Sequence, residues 1–134
     1  NTIDLTSSAV DCSSGDIIQA LTIPGDSVIL WAGFQVVESA TMNTGTNATA
    51  VLGTAVDPNE YVTAFDIDGA ADLAYAPTVA AAGVVVNASA DTMDLTFAGD
   101  GATFTAGKLR VFCMLMDVSE VGVHTAATAA RDNT

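Results

Sequence analysis

Short runs of alternating apolar and polar residues, separated by turn residues, dominate the chain. Residues 92–98 (TMDLTFA) give the cleanest case, with Met93, Leu95 and Phe97 on one side and Thr92, Asp94 and Thr96 on the other. A period of two marks a half-buried β-strand. The same reading predicts strands over residues 2–6, 16–23, 27–38, 50–55, 61–67, 84–86 and 108–118. Between them lie Ser13-Ser14-Gly15, Pro24-Gly25-Asp26, Asp57-Pro58-Asn59-Glu60 and Gly99-Asp100-Gly101. These are turn signals, because Pro fixes φ and Gly permits a positive φ. Residues 41–49 (TMNTGTNAT) read as a polar loop, and residues 68–78 mostly as loop with room for a strand pair.

No segment sustains a helical period. The expected class is all-β: an antiparallel β-sandwich, jelly-roll-like, of about eight strands, with an immunoglobulin-like topology as the rival. The sandwich spans residues 1–118. Residues 119–134 form a less ordered C-terminal tail or arm, rich in Ala and Thr, that buries too little to fold alone.

Two strands break the half-buried pattern. In residues 108–118 (KLRVFCMLMDV), Leu109, Val111, Cys113 and Leu115 point one way, and Phe112, Met114 and Met116 point the other. In residues 27–38, Val28, Leu30, Ala32, Phe34 and Val36 alternate with Ile29, Trp31, Gly33, Gln35 and Val37. Strands that are apolar on both faces need cover on both sides, from their own chain or from a neighbouring copy. Trp31, Phe34, Phe112, Met114 and Met116 are the candidate residues of a subunit or capsid interface.

Composition points the same way. Charged residues make up 14% of the 134-residue chain, against about 25% in a soluble domain. Sixteen acids face three basic residues, Lys108, Arg110 and Arg131, for a net charge of −13. No stretch can neutralise several phosphates, so neither a nucleic acid nor an anionic membrane is an expected partner. The sequence carries no secretory-signal pattern and no apolar stretch of about 18 residues.

Candidate chemistry is sparse. Cys12 and Cys113 lack metal-ligand spacing and are expected as buried free thiols, with a disulfide between them the alternative if the first and last strands are neighbours. His124 is the sole histidine and stands in no nucleophile motif. Asp66-Ile67-Asp68-Gly69, with Asp57, Glu60 and Asp72 nearby, is the densest acidic cluster. It matches part of a calcium loop but lacks the third acid and the closing Glu. Ordinary turn residues explain it equally well. Paired carboxylates for glycoside hydrolysis would want an aromatic-lined cleft, and the aromatics here sit mostly on core-like strands. Asn47-Ala48-Thr49 and Asn87-Ala88-Ser89 match the glycosylation sequon and read as turns. No catalytic, cofactor or metal residue is assigned.

Four stretches carry a resemblance: TIDLTSSAVDCSSGDIIQALTIPGDSVIL at residues 2–30, FDIDGAADL at 65–73, ADTMDLTF at 90–97 and TAGKLRVFCMLMDV at 105–118. Together they resemble the small head-decoration and virion structural proteins of tailed, particularly marine, bacteriophages. That resemblance implies a jelly-roll-like β-sandwich forming homo-oligomers, commonly trimers, on the outer capsid surface. The implied partner is the major capsid protein, and the implied role is non-enzymatic, without cofactor. The alternatives are a bacterial or archaeal surface or adhesin-type subunit, and a calcium- or carbohydrate-binding jelly-roll module.

Overall fold

The computed structural model describes residues 1–8, 10–69, 73–76 and 86–119. These form nine strands: β1 (Thr2–Asp4), β2 (Ile17–Ile23), β3 (Ser27–Met42), β4 (Ala48–Gly53), β5 (Val62–Asp66), β6 (Leu73–Ala76), β7 (Val86–Asn87), β8 (Asp91–Gly99) and β9 (Phe104–Asp117). Among the described residues there is no helix, and none is therefore long and apolar enough to cross a membrane.

The pairing is nested. β1 pairs with β9, β2 with β8, β3 with β6 and β7, and β4 with β5, all antiparallel. Rolling this long double ribbon adds two further contacts, β9 on β3 and β8 on β4. The result is two sheets, ordered β1-β9-β3-β6 and β2-β8-β4-β5. Successive nested pairs wrapped into two facing sheets are the jelly-roll arrangement, and the expected class holds. β6 and β7 lie end to end on the same edge of β3, so nine short strands fill eight positions.

The inner faces meet in one core. Ile3, Phe34, Val36, Leu109 and Val111 from the first sheet pack with Ile23, Leu52, Met93, Leu95 and Phe97 from the second. Phe34 meets Phe65 edge to face, with ring centres 5.9 Å apart, and Phe97 meets Phe104 likewise at 5.6 Å. The alternation of residues 92–98 is met: Met93, Leu95 and Phe97 are buried.

β3 and β9 are longer than the sequence pattern predicts. β3 continues through Thr41 and Met42, and β9 begins four residues early, at Phe104. β-Bulges conceal this continuation by shifting the alternation by one residue. Ile29 pairs with Leu115 and Trp31 with Met114, which leaves Leu30 extra, so Leu30 and Trp31 both face outward. Val36 pairs with Leu109 and Glu38 with Lys108, which leaves Val37 extra, so Val37 and Glu38 are both exposed. After that second bulge Ala40 and Met42 turn back into the core. Gly107 sits at a further irregularity with φ +133, where a Cβ would lie 2.9 Å from Leu5 Cδ1 and 3.0 Å from Ala40 Cα. Only glycine suits both that φ and that space.

Three smaller expectations are corrected or bounded. In the Pro24-Gly25-Asp26 turn, Asp26 takes the positive φ (52) and not Gly25. Of the strand expected over residues 2–6, Thr2–Asp4 is extended, and just before it the Asn1 nitrogen donates to Val111 O at 2.9 Å and the Asn1 side chain to Ala20 O at 3.0 Å, tying the two sheets together. His124, Arg131, Asp72 and the tail from residue 120 lie outside the described residues, as do Val84 and Val85.

The inside–outside assignment has a direct check. Phe34→Ala should cost about 3–5 kcal/mol in urea unfolding, as truncation of a buried aromatic does. Met114→Ala should cost about 1 kcal/mol or less. Equal losses would contradict the placement of these two side chains.

Candidate assembly surface

The two central strands of the first sheet each have a second, outward face. Along β9 the outward residues are Lys108, Arg110, Phe112, Met114 and Met116; along β3 they are Trp31, Gly33, Gln35 and Glu38. The register sets Trp31 opposite Met114 and Gly33 opposite Phe112. Because Gly33 has no side chain, the Phe112 ring can lie over it and meet Trp31 edge to face, with ring centres 5.1 Å apart. Trp31 stays 43% exposed, Met114 51% and Met116 48%, with Leu30 exposed beside them. Val28, the register partner of Met116, is already buried and bounds the patch at that end.

Four of the five residues expected at an interface are therefore brought together on one face: Trp31, Phe112, Met114 and Met116. Phe34 is the exception. It is fully buried and points the other way, into the sandwich core. Unbroken alternation sets Leu30 on the side opposite Trp31, and the bulge brings it to the same side, where it joins the patch.

The other end of the same face is polar. Lys108 Nζ lies 2.6 Å from Glu38 Oε2 and 3.7 Å from Asp4 Oδ2, bridging β3, β9 and β1. Glu38 and Asp4 hold the Lys108 ammonium above its ordinary pKa. Arg110 donates to Gln35 Oε1 at 3.4 Å, and among the described residues no carboxylate pairs with it. Asp4 is held below its ordinary value, first by the Thr6 hydroxyl and backbone N–H and further by Lys108.

The remaining candidates look inward or onto their own turns. Asp66 Oδ1 accepts the N–H groups of Asp68 and Gly69, both at 3.0 Å, and Asp68 Oδ2 accepts the Ala48 N–H at 2.9 Å. These acids close a turn, and among the described residues no group of three or more His, Cys, Asp or Glu is placed to hold a metal ion. Cys12 and Cys113 are free thiols. Burial pushes Cys12 up to about 12, and it raises Cys113 as well. Asp94 was expected outside; it lies on the outer side of its sheet yet is buried, next to Gly53, where the Asp57-Pro58 backbone folds over. Among the described residues its Oδ1 and the Thr96 Oγ1 have no hydrogen-bond partner.

Compared with known proteins, the chain matches no family model, no curated protein and no solved structure.

The polar end of the face gives a pH signature. A carboxyl held below its ordinary pKa stabilises the fold above the unfolded pKa, and that stability is lost as pH falls through the folded value. Asp4→Ala should therefore lower the thermal midpoint at about pH 7, and the gap should close at about pH 2. Thermal unfolding of both proteins across this range checks it. A gap that widens on acidification would contradict the role given to Asp4.

Proposed function

We propose that the protein is a non-enzymatic structural subunit that decorates the outer surface of a tailed-phage capsid and reinforces it. The observation that carries this reading is the exposed Trp31–Phe112–Met114–Met116 face on the central strands of a jelly roll. Large exposed apolar patches on a small domain mark surfaces that meet another protein. Trp, Phe and Met are enriched at such contacts. The sequence resemblance supplies the class of assembly.

The mechanism is mechanical. Copies of the chain join into a homo-oligomer through apolar sheet faces, and the oligomer bridges neighbouring copies of the major capsid protein. Bridging adds contacts that must break before the shell opens, which raises its resistance to internal DNA pressure. The acidic loops remain in solvent, where net charge −13 keeps decorated particles apart. The sparse basic charge keeps the subunit from binding DNA.

Immunogold labelling with antibody to the chain tests the location. Label on the heads of intact tailed-phage particles is the expected result. Label on cell envelopes, or on neither, would overturn the reading, and envelope label would favour a cell-surface subunit.

A further inference from the structure

We propose that the free edge of β2 takes up an extended segment of a partner protein as an added strand, and that this segment carries a Lys or Arg directed at Asp94. The inference is independent of the Trp31–Met116 face, which belongs to the other sheet.

The backbone provides the row of contacts. β2 ends its sheet, and among the described residues no strand pairs with its outer side. At the start of β2, the Phe97 N–H donates to Asp16 O and the Phe97 carbonyl accepts from the Gly15 N–H. In an antiparallel ladder such bonded positions alternate along the strand. Leu95 therefore bonds Ile18, its register partner, while Ile17 and Gln19 turn their N–H and C=O groups away from β8. Both residues are exposed, Ile17 to 61%. The regular edge stops at Ala20, where the register shifts and the carbonyl accepts from the Asn1 side chain. Edge strands are commonly guarded by charge or proline. β2 reads IIQALTI and has neither, whereas β5, at the opposite edge of the same sheet, ends in Asp66.

Chemistry then selects the occupant. Donors and acceptors at strand spacing are matched by an extended backbone, the basis of recognition by strand addition. Beside this edge, Val10, Ile17, Ile18, Gln19 and Asp94 line a groove of about 540 Å³. Its one charged member is Asp94, the register partner of Gln19. Asp94 is buried, and its Oδ1 has no hydrogen-bond partner among the described residues. A buried acceptor left open costs free energy that a donor recovers. Asp11 and Asp16 are exposed next to groove residues Val10 and Ile17, while Lys108 and Arg110 stand on the other sheet. The groove side is therefore anionic, and it favours a cation. An outward residue of the added strand beside Gln19 lies two strand spacings, about 10 Å, from Asp94. A Lys or Arg spans that gap, its stem along Gln19 and Ile17 and its head at the carboxylate. An uncharged segment would leave Asp94 unmatched, and an acidic one would meet like charge.

The probe is the peptide acetyl-TTVKVTT-amide, whose alternation puts Lys on the outer face and both Val toward Ile18. It is titrated to millimolar concentration into the isotope-labelled full chain and followed by NMR. The expected result is a shift of the Ile17 and Gln19 amides, with their hydrogen exchange slowed about tenfold at saturation. Ile17→Pro removes an outward N–H at the first position of an edge strand, where proline is tolerated, and should abolish the response. Ile17→Ala keeps the N–H and should retain it, and circular dichroism confirms that each variant folds. The peptide N-methylated at its Lys repeats the backbone test on the unaltered protein and should not bind. Glu in place of the peptide's Lys, or Asp94→Asn in the protein, should weaken binding about tenfold or more, the loss of one charge-assisted hydrogen bond. Unmoved Ile17 and Gln19 amides at millimolar peptide would overturn the proposal, and so would binding that survives both Ile17→Pro and N-methylation. Equal binding of the Lys and Glu peptides would overturn the choice of a basic partner.

Discussion

The antiparallel ladder between β3 and β9 is the constraint on which the rest of this molecule depends. It runs from Ser27–Asp117 at one end to Met42–Phe104 at the other. Each strand carries apolar side chains on both sides, so the ladder cannot sit at the solvent face of a sheet without leaving apolar surface in water. One side is covered by the second sheet, through Phe34, Val36, Leu109 and Val111. Nothing in the described part of the sandwich covers the half-exposed residues Trp31, Met114 and Met116. The bulges at Leu30 and Val37 reconcile the two demands. They shift the alternation so that Phe34 and Val36 between them stay inside while Leu30, Trp31 and Val37 turn out.

Electrostatics reinforces the same division. Several acids lie at strand ends and in turns, where they serve nearby backbone: Asp4 bonds Thr6, Asp66 bonds Asp68 and Gly69, and Asp117 bonds Ser119. Such local bonds fix turns at little cost and leave the outer surface anionic. The described cations are gathered on the outer face of the first sheet, where Lys108 ties three strands together.

The fold class was legible because strands, turns and the absence of helical period agreed with one another along the chain. The Met93–Leu95–Phe97 row and the two sides of β9 from Lys108 onward could be read residue by residue, since no bulge interrupts the alternation of either stretch. β3 could be read only in part. A bulge inserts one residue without any composition signal, so Leu30 was set on the side opposite Trp31 and the strand was stopped at Glu38. The loop reading of residues 41–49 failed for a related reason: Met42 and Ala48 are core residues among polar neighbours, and two isolated apolar positions do not make a visible period. At the candidate surface, the pattern supplied Trp31, Phe112, Met114 and Met116. Phe34 was misassigned because a strand that is apolar on both faces gives no indication of which face is the core. The nested pairing of β1 with β9 and β2 with β8 was not readable at all, since pairing partners leave no mark on local alternation.

The four methionines offer the most direct measurement. Met42 and Met93 are buried, while Met114 and Met116 are half-exposed on the outer face. Mild peroxide converts accessible methionine to the sulfoxide, and mass spectrometry reads each site separately. At high dilution the account expects Met114 and Met116 to oxidise first, with Met42 and Met93 resistant until the fold opens. At high concentration Met114 and Met116 should become protected as faces meet. Equal resistance of all four at every concentration, or oxidation of Met114 and Met116 that ignores concentration, would contradict the claim that the β3–β9 ladder has one side in a core and the other built to be covered by a second molecule.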